Sequence, residues 1–435
     1  MLRKRVPRTS HAHWTPLAGR SEPCEILAAA AVGRLPQLVP IRNARMATSP
    51  FMFFRGAAPV MAADLATTAN IGLRVQACGD AHCANFGAYA TPERRLVFDV
   101  NDFDETLPGP WEWDLKRLAV SLVLAARSRG LKERDGSTAV LAAMRSYRVN
   151  MTRFAAMPAL DVWYTRLDTS AVVERSSPAD RRRRLAMAQE AREKTNRAAL
   201  EKITSLVDGR RHFNEEPPLL YHPSNDDDGG FDIDAIVGSY AQSLPPDVRV
   251  LFERYRLIDH AIKVVGVGSV GTRCAVALFA ADDDDALVLQ IKEANASVLE
   301  RYLEPSMYRN HGERVVRGQQ LMQSASDIFL GWGSSGEHDY YVRQLKDMKA
   351  SVDIDLLDSY ELREYAHFCA EALAMSHARS GDAATISGYV GKTDRFDKAI
   401  VQFAQAYADQ TEHDHEGFVG AIEAGRVPTI DLERT

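Results

Sequence analysis

The spacing of apolar residues changes twice along the chain, from a strand period to a helical one and back again. Leu96, Phe98 and Val100 lie on one face of a run with alternating apolar and polar positions, which predicts a strand. From residue 112 to 154 the apolar residues follow a helical period, which predicts two helices. Between residues 262 and 345 the strand period returns around one helical segment, and helical patterns then close the chain. The pattern predicts an α+β protein.

Two short motifs beside the first strands are rich in side chains that support chemistry. The sequence GDAHCANFG places Asp80 and Asn85 five residues apart on one loop between glycines. The sequence VFDVNDFDE then ends a strand on Asp102 and Asp104. Asp and Asn are also common turn residues, so a purely structural turn followed by a solvated loop is the alternative.

A glycine-rich segment lies at the start of the β-rich part. The sequence GVGSVGTR matches a GxGxxG pattern, which alone fits a dinucleotide-binding turn, a phosphate-covering loop or a plain hairpin. A dinucleotide-binding turn needs a helix to begin at its last glycine, because the pyrophosphate sits at that helix N-terminus. Strand periodicity follows instead, so we expect a hairpin whose backbone covers phosphates. The residues expected to make these contacts are Gly266, Gly268, Ser269 and Gly271.

The third strand of this region, ALVLQIKEA, carries Lys292. A lysine at that position can reach the phosphates of a nucleotide, and a glutamate on the next helix can hold the lysine in place. Glu313, in the predicted helix GERVVRGQQ, is the expected partner, with Glu300 and Glu304 as alternatives. Without a nucleotide site, Lys292 would be a surface lysine and Glu313 a helix-capping acid.

Composition and charge exclude several classes of function. The 435 residues are 46% apolar and 26% charged, an ordinary balance for a globular protein. Lys and Arg number 53 against 59 Asp and Glu, so the net charge of −6 does not favour a nucleic-acid or membrane-surface binder. The five cysteines form no CxxC pair, and neither a signal peptide nor a membrane-spanning run is evident. We therefore expect a cytoplasmic protein.

Together these motifs resemble the protein kinase and aminoglycoside phosphotransferase superfamily. Residues 262–345 are similar to its small lobe, GDAHCAN resembles its HGDxHxxN catalytic loop, and DFDE resembles its metal-binding DFG or DxD. WDLKRLAVSL resembles the helix that follows, in which Asp114 would support the catalytic loop. Cys78 departs from the usual His, and Asp104 from the last Gly of DFG. The whole chain also resembles an uncharacterised bacterial family, domain of unknown function 2252, through RMATSPFMFFRGAA, GDAHCANFG, VGVGSVGTR and RQLKDMK.

The order of the pieces differs from that superfamily, in which the small lobe precedes the catalytic loop. The segment YAHFCAEALAMSHARSGD resembles the helix that usually leads into the catalytic loop, so joining Ala378 to Val75 would restore the usual order. The resemblance thus implies a kinase-like two-lobe fold, circularly permuted, with a mostly helical large lobe. The expected parts are an N-terminal arm with helices (1–70), the large lobe (71–250), the nucleotide-binding small lobe (255–345) and C-terminal helices that complete the large lobe (346–435).

The resemblance also implies a role for each site residue. Asp80 would be the base or orienting group for an acceptor hydroxyl. Asn85 and Asp102 would hold Mg²⁺, which prefers oxygen ligands, and Asp104 would hold or support a second ion. Lys292 would contact the phosphates of ATP or GTP.

The expected function is phosphoryl transfer from ATP or GTP to a small-molecule hydroxyl. A nucleotide-binding pseudokinase or regulatory scaffold is the non-enzyme alternative. A metal-dependent phosphoesterase is the enzyme alternative, because GDAH also resembles a dimetal hydrolase motif. The acceptor and the choice between phosphoryl and nucleotidyl transfer stay open. Arg55, inside the apolar segment FFRGAA, is expected to pair with a carboxylate such as Asp99 rather than to contact a phosphate.

Overall fold

The computed structural model describes residues 2–174, 178–193, 196–207, 210–223, 231–264, 266–282, 285–345 and 348–431. Its helices are α1 Leu2–Arg5, α2 Pro23–Ala31, α3 Val39–Ala47, α4 Pro50–Gly56, α5 Ala58–Leu65, α6 Trp111–Ser128, α7 Glu133–Ala155, α8 Ala159–Tyr164, α9 Thr169–Glu174, α10 Pro178–Glu193, α11 Asn196–Ile203, α12 Ile233–Ser243, α13 Pro246–Phe252, α14 His311–Met322, α15 Ser359–Ser380, α16 Ala383–Val390 and α17 Arg395–Glu423. Its strands are β1 Arg74–Ala77, β2 Phe86–Ala90, β3 Leu96–Val100, β4 Leu107–Pro110, β5 Thr204–Val207, β6 Arg210–Phe213, β7 Leu220–Tyr221, β8 Arg256–Lys263, β9 Cys274–Asp282, β10 Asp285–Ala294, β11 Gly331–Ser335, β12 His338–Gln344 and β13 Ala350–Ser351. Over the described residues, no helix combines the length and apolar character needed to cross a bilayer.

Four long helices build the main core, and with the sheets they confirm the α+β class. α15 packs along α7, and α6 lies against both α7 and α17. α6 is buried on nearly all sides, so its apolar residues surround the helix instead of forming one stripe. α15 begins at a capping box, in which Asp358 and Glu361 each accept a hydrogen bond from the backbone N–H of the other.

The N-terminal arm is an integral part of this core. Phe54, Met61 and Leu65, from α4 and α5, are buried in the same hydrophobic cluster as α6 and α15. The Tyr407 hydroxyl of α17 donates a hydrogen bond to Asp64 of α5 (2.7 Å). Segments from the two ends of the chain therefore complete the large helical body together.

The β-rich part is a six-stranded antiparallel sheet in the order β11-β12-β10-β9-β8-β7. The elements follow the predicted series: β8, the glycine-rich segment, β9, β10 with Lys292, helix α14, β11 and β12. Helix α12 packs on the sheet, where Ile236 and Tyr240 are buried with Phe279. Because β7 and α12 belong to this body, it begins well before the boundary expected at residue 255.

Two strand pairs bring the two chemical motifs side by side. β1 pairs with β4 so that Ala77 lies opposite Leu107, and β2 pairs with β3 so that Phe86 lies opposite Val100. GDAHCAN lies mainly in the loop between β1 and β2, whereas DFDE lies between β3 and β4. Since both pairs are antiparallel, the two connecting segments leave the strands at adjacent ends. Asp80 and Asp102 are therefore on neighbouring segments.

Helix α15 runs beneath this loop and ends beside β1, as the sequence predicts. The Tyr365 hydroxyl is buried and donates hydrogen bonds to the carbonyls of Cys83 (2.7 Å) and Phe86 (3.1 Å). At the end of the helix, the Gln76 N–H donates a hydrogen bond to Ser380 Oγ (3.0 Å). The helix thus supports the GDAHCAN loop on both sides, at the strand before it and at the residues that end it.

Candidate active site

A buried carboxylate fixes the backbone that leads into the GDAHCAN loop. Asp114, in the first turn of α6, accepts hydrogen bonds from the N–H groups of Cys78 (2.7 Å) and Gly79 (3.0 Å). Its Oδ2 also meets His377 Nε2 of α15 at 3.2 Å. Gly79 adopts a φ of +83°, and a Cβ at this position would lie 2.3 Å from the Glu105 carbonyl oxygen. Only glycine fits this approach of the two motif segments.

The carboxylate of Asp80 is held by Arg117, a residue that the sequence analysis does not single out. Arg117 Nε donates a hydrogen bond to Asp80 Oδ1 (2.7 Å), and its Nη2 donates to the Phe54 carbonyl (2.7 Å). The guanidinium also stacks 3.8 Å from the Phe54 ring centroid. The sequence offered one signal for Arg117, its spacing. It follows Asp114 by three residues and so lies on the same face of α6. His82 Nε2 lies 3.8 Å from the other oxygen of Asp80.

Asn85 and Asp102 offer oxygen atoms on the same cavity wall. Asn85 Nδ2 donates a hydrogen bond to the Asp80 carbonyl (2.9 Å), so its amide oxygen is the atom left for a cation. Asp102 Oδ1 accepts from the Asp104 N–H (3.1 Å). Burial and the neighbouring Asp104 raise the pKa of Asp102. One amide and one carboxylate oxygen suit Mg²⁺, which binds few protein ligands and keeps several waters.

Asp104 is engaged by the β-rich body through both carboxylate oxygens. Its Oδ2 forms an ion pair with Lys292 and accepts a hydrogen bond from Ser269 Oγ (3.1 Å), while its Oδ1 accepts from the Tyr341 hydroxyl (2.8 Å). Burial acts to raise the pKa of Asp104, but Lys292 outweighs it and holds that pKa below the usual value. Burial likewise acts to lower the pKa of Lys292, but Asp104, Tyr341 and Asp102 together outweigh it and raise that pKa well above the usual value. Asp104 therefore orients Lys292 instead of standing free for a second ion.

The expected ion pair between Lys292 and Glu313 is not formed. Glu313 lies in the first turn of α14 and contacts Arg317 Nε at 3.4 Å. The face of α14 that meets the DFDE segment carries Arg314, which donates hydrogen bonds to three backbone carbonyls there and in the neighbouring segment. Adjacent residues of a helix point about 100° apart. The orientation of α14 that directs Arg314 to the DFDE segment therefore turns Glu313 away from Lys292. The alternative glutamates lie near other arginines: Arg314 for Glu300 and Arg74 for Glu304.

The glycine-rich segment contributes unequally to the site. Gly266, Gly268 and Ser269 line the cavity that contains Asp80. Gly266 has a φ of +67° and is exposed, which leaves its backbone accessible. Gly271 has a φ of +91° but is buried against the side chain of Arg34. The first two glycines thus face the cavity, whereas Gly271 shapes the turn.

The N-terminal arm holds this segment from outside. The Leu35 N–H donates a hydrogen bond to the Gly271 carbonyl (2.7 Å), and Arg34 Nη1 donates to the Val270 carbonyl (2.6 Å). Arg45 Nη1 donates to the Gly266 carbonyl (2.6 Å). Val270 is fully buried in a small cluster with Leu35 and other apolar residues of the arm. The segment is therefore anchored at both ends by a part of the chain that precedes the GDAHCAN loop.

Two cavities flank the DFDE segment. The first, of about 540 Å³, lies between the glycine-rich segment, the arm and the GDAHCAN loop, and is lined by Asp80, Asn85, Asp102 and Asp104 among others. The second, of about 590 Å³, is lined by Asn101, Gln290, Arg343, Gln344 and Leu345 among others. Since Asn101 and Asp102 are adjacent in the chain, the two cavities lie on either side of one short segment.

Arg55 does not pair with Asp99, so that expectation was wrong. Asp99 is buried and accepts hydrogen bonds from the N–H groups of Val100 (2.9 Å) and Ser324 (3.2 Å). Arg55 instead lines the first cavity, with its Nη1 at 3.4 Å from the Met52 sulfur. Helix α4 packs against α6, which directs this segment to the GDAHCAN loop and not to β3.

The chain matches the family described as "Uncharacterized protein conserved in bacteria (DUF2252)" over residues 34–421. Because this match covers most of the chain, the protein belongs to that family. No curated protein and no solved structure matched the chain. The matched range contains every site residue described above, but the family description assigns no activity.

Proposed function

We propose that this DUF2252 protein is a magnesium-dependent phosphotransferase that moves the γ-phosphoryl group of ATP or GTP to the hydroxyl of a small molecule. The observation that carries the proposal is the convergence of Asp80, Asn85, Asp102 and Asp104 on one cavity. Lys292 of the sheet is ion-paired with Asp104 at the same place. Phosphoryl transfer needs mainly positioning and charge neutralisation, and these groups supply both.

A circularly permuted kinase-like fold would account for the order of the elements. The sheet contains the predicted series of strands with α14 in the predicted place. The end of α15 lies against β1, where the chain of an unpermuted relative would continue into the catalytic loop. Both observations support the permutation that the sequence resemblance implies.

The phosphates would be held by the glycine-rich backbone and Lys292. Asp104 keeps the Lys292 ammonium charged and fixed, a role first expected of Glu313. Asn85 and Asp102 are the residues that would hold Mg²⁺. When bound, Mg²⁺ would neutralise phosphate oxygens and align the γ-phosphoryl group.

Asp80 would accept the proton of the acceptor hydroxyl. Arg117 occupies its Oδ1, so Oδ2 is the oxygen available to the acceptor. In the transfer step a bond forms between the acceptor oxygen and the γ-phosphorus, and the bond from that phosphorus to the β–γ bridging oxygen breaks. The hydroxyl proton passes to Asp80 and the nucleoside diphosphate leaves with the bridging oxygen.

The second cavity would hold the nucleobase. It is adjacent to Asp102 through Asn101, and its wall includes the chain just after β12, at Gln344 and Leu345. A base in this cavity would place the triphosphate along the DFDE segment toward Asp80. The second cavity would then hold the base, and the first would hold the γ-phosphate and the acceptor.

The direct test is incubation of the protein with γ-labelled ATP or GTP, Mg²⁺ and the small-molecule fraction of a bacterial extract. We expect labelled phosphorylated products, and we expect Asp80→Asn to lower their rate of formation by roughly 100-fold or more. Nucleotide affinity should be unchanged in Asp80→Asn, because this carboxylate acts on the acceptor. Asp247→Asn, on an exposed position, is the matched control.

Other outcomes point to the alternatives. Nucleotide binding without transfer to any compound would favour a pseudokinase. Release of inorganic phosphate from many phosphoesters, without nucleotide preference, would favour a phosphoesterase.

A further inference from the structure

Two arginines on the wall of the first cavity have incompletely satisfied guanidinium groups. Arg42 is 2% exposed, and its Nη2 donates a hydrogen bond to the Gly56 carbonyl (2.7 Å). Within the described ranges, the one hydrogen-bond contact of the Arg55 guanidinium is with the Met52 sulfur (3.4 Å). In both residues Nε is buried without an acceptor. Among the described residues, neither guanidinium forms an ion pair with a carboxylate.

Three other arginines away from the solvent are paired with carboxylates, whereas Arg34 and Arg343, in the part of the chain that the structure describes, donate only to uncharged oxygen atoms. Arg117 is paired with Asp80, Arg20 with both Asp64 and Asp414, and Arg148 with Asp397. An uncompensated charge away from water is costly, and such charges are normally paired or bind a ligand. Because Arg42 and Arg55 both line a cavity, the missing partner can be a bound anion.

The position of the two arginines places this anion on the acceptor side of the site. The Phe54 carbonyl holds Arg117, which in turn holds Asp80. Arg55 follows Phe54 directly, and the next carbonyl, that of Gly56, holds Arg42. Residues 54–56 therefore connect Arg42 and Arg55 to Arg117, the residue that holds Asp80. The nucleotide side has its own cation, Lys292, which the sheet supplies through Asp104.

We propose that the acceptor is a small hydroxyl compound with a carboxylate or phosphate group, which Arg42 and Arg55 bind while the hydroxyl faces Asp80. This inference rests on the proposed function and names its substrate class. The cavity of about 540 Å³ must take the γ-phosphate as well as the acceptor, so the acceptor is small. The same two charges repel a polycationic acceptor.

The test has two stages and uses the full-length protein. First, calorimetry measures the affinity for a non-hydrolysable ATP or GTP analogue with Mg²⁺. Second, with that analogue saturating, inorganic phosphate and glycerate are titrated separately against chloride of equal ionic strength. We expect saturable binding of at least one anion to the wild type. Arg42→Gln and Arg55→Gln should each weaken it by 10-fold or more, with the nucleotide affinity unchanged.

Two further variants keep the result interpretable. Arg134→Gln removes an exposed arginine (77% side-chain exposure) and should behave as the wild type. Arg42→Lys keeps a buried positive charge if Arg42→Gln fails to fold, and it should retain part of the anion affinity while losing the paired N–H donors of a guanidinium.

Several outcomes would overturn the proposal. One is a wild type that binds nucleotide but neither anion. Another is a pair of Gln variants that lose nucleotide affinity as much as anion affinity, because the arginines would then serve the nucleotide phosphates. Failure of the proposed function itself is seen separately, as absence of nucleotide binding in the first stage.

Discussion

Ser380 Oγ accepts a hydrogen bond from the Gln76 N–H at 3.0 Å, although the two residues are 304 positions apart. The contact joins the last residue of α15 to the strand that leads into the GDAHCAN loop. One turn earlier, His377 of the same helix meets Asp114, which holds the backbone at the start of the loop. Through these contacts α15 supports the position of the loop.

Loss of the contact between α15 and the loop should therefore affect stability and activity together. Tyr365→Phe removes the hydroxyl that serves the Cys83 and Phe86 carbonyls. We expect the free energy of unfolding to fall by about 1–3 kcal/mol, because two buried acceptors lose a donor. Tyr360→Phe, in the same helix but 38% exposed, should change it little. Urea unfolding measures both, and equal losses in the two variants would contradict the account.

The choice between Asp104 and Glu313 as the partner of Lys292 can be tested by paired substitutions. Asp104→Asn leaves Lys292 buried without its carboxylate, so we expect a loss of nucleotide affinity of 10-fold or more. Glu313→Gln removes only a partly exposed contact with Arg317 and should change affinity less than 3-fold. Calorimetry with a Mg²⁺–nucleotide analogue compares them. A larger effect of Glu313→Gln would show that Lys292 changes partner when nucleotide binds.

His11 makes stability depend on pH. It is buried, with Nε2 at 2.7 Å from the Tyr389 hydroxyl, and burial, with a smaller effect of Lys116, lowers its pKa from 6.5 to about 3. A folded-state pKa below the unfolded value gives stability that is present above pH 6.5 and is lost as the pH falls toward 3. Below pH ~6, His11 should lower the free energy of unfolding by about 1.4 kcal/mol for each pH unit of acidification.

The measurement is the free energy of unfolding of the wild type, His11→Gln and His13→Gln between pH 7 and 4. We expect His11→Gln, which keeps a hydrogen-bonding group near Tyr389, to lose less stability on acidification than the wild type. His13 is exposed, so its variant should follow the wild type. Parallel pH profiles for all three proteins would refute the assignment of this slope to His11.

Local pattern was enough to predict much of the fold. The alternation through Leu96 and Val100 and the strand period around Lys292 placed β3 and β10 correctly, although both faces of β3 and of most of β10 are buried. Strand β7 has only two residues, Leu220–Tyr221, too short for any period to appear. The edge of the β-rich body was therefore placed too late in the chain.

In the site, too, some residues could be predicted from local sequence spacing, whereas other contacts depend on tertiary packing. Asp80, Asn85 and Asp102 lie on short loops whose spacing is visible in the sequence. The partner of Lys292 depends on the rotation of α14, which Arg314 fixes through contacts with distant segments. Nothing in the local pattern shows this rotation.

The positions of the arginines around the site could not be predicted from the sequence either. Arg42 is one basic residue among several in the arm, and its burial follows from the packing of α3 against α4. Arg117 had a spacing signal, but the sequence does not show which of the buried charged residues of α6 meets Asp80. Such contacts depend on tertiary packing.

The central claim is a Mg²⁺-dependent nucleotide site at the DFDE segment, and titration of the protein with non-hydrolysable ATP and GTP analogues tests it most directly. We predict binding of at least one analogue in Mg²⁺, loss of most of that affinity in EDTA, and a decrease of 10-fold or more in Asp102→Asn even with Mg²⁺ present. Asp80→Asn should bind as the wild type does. A wild-type protein with no affinity for either analogue in Mg²⁺ would contradict the account.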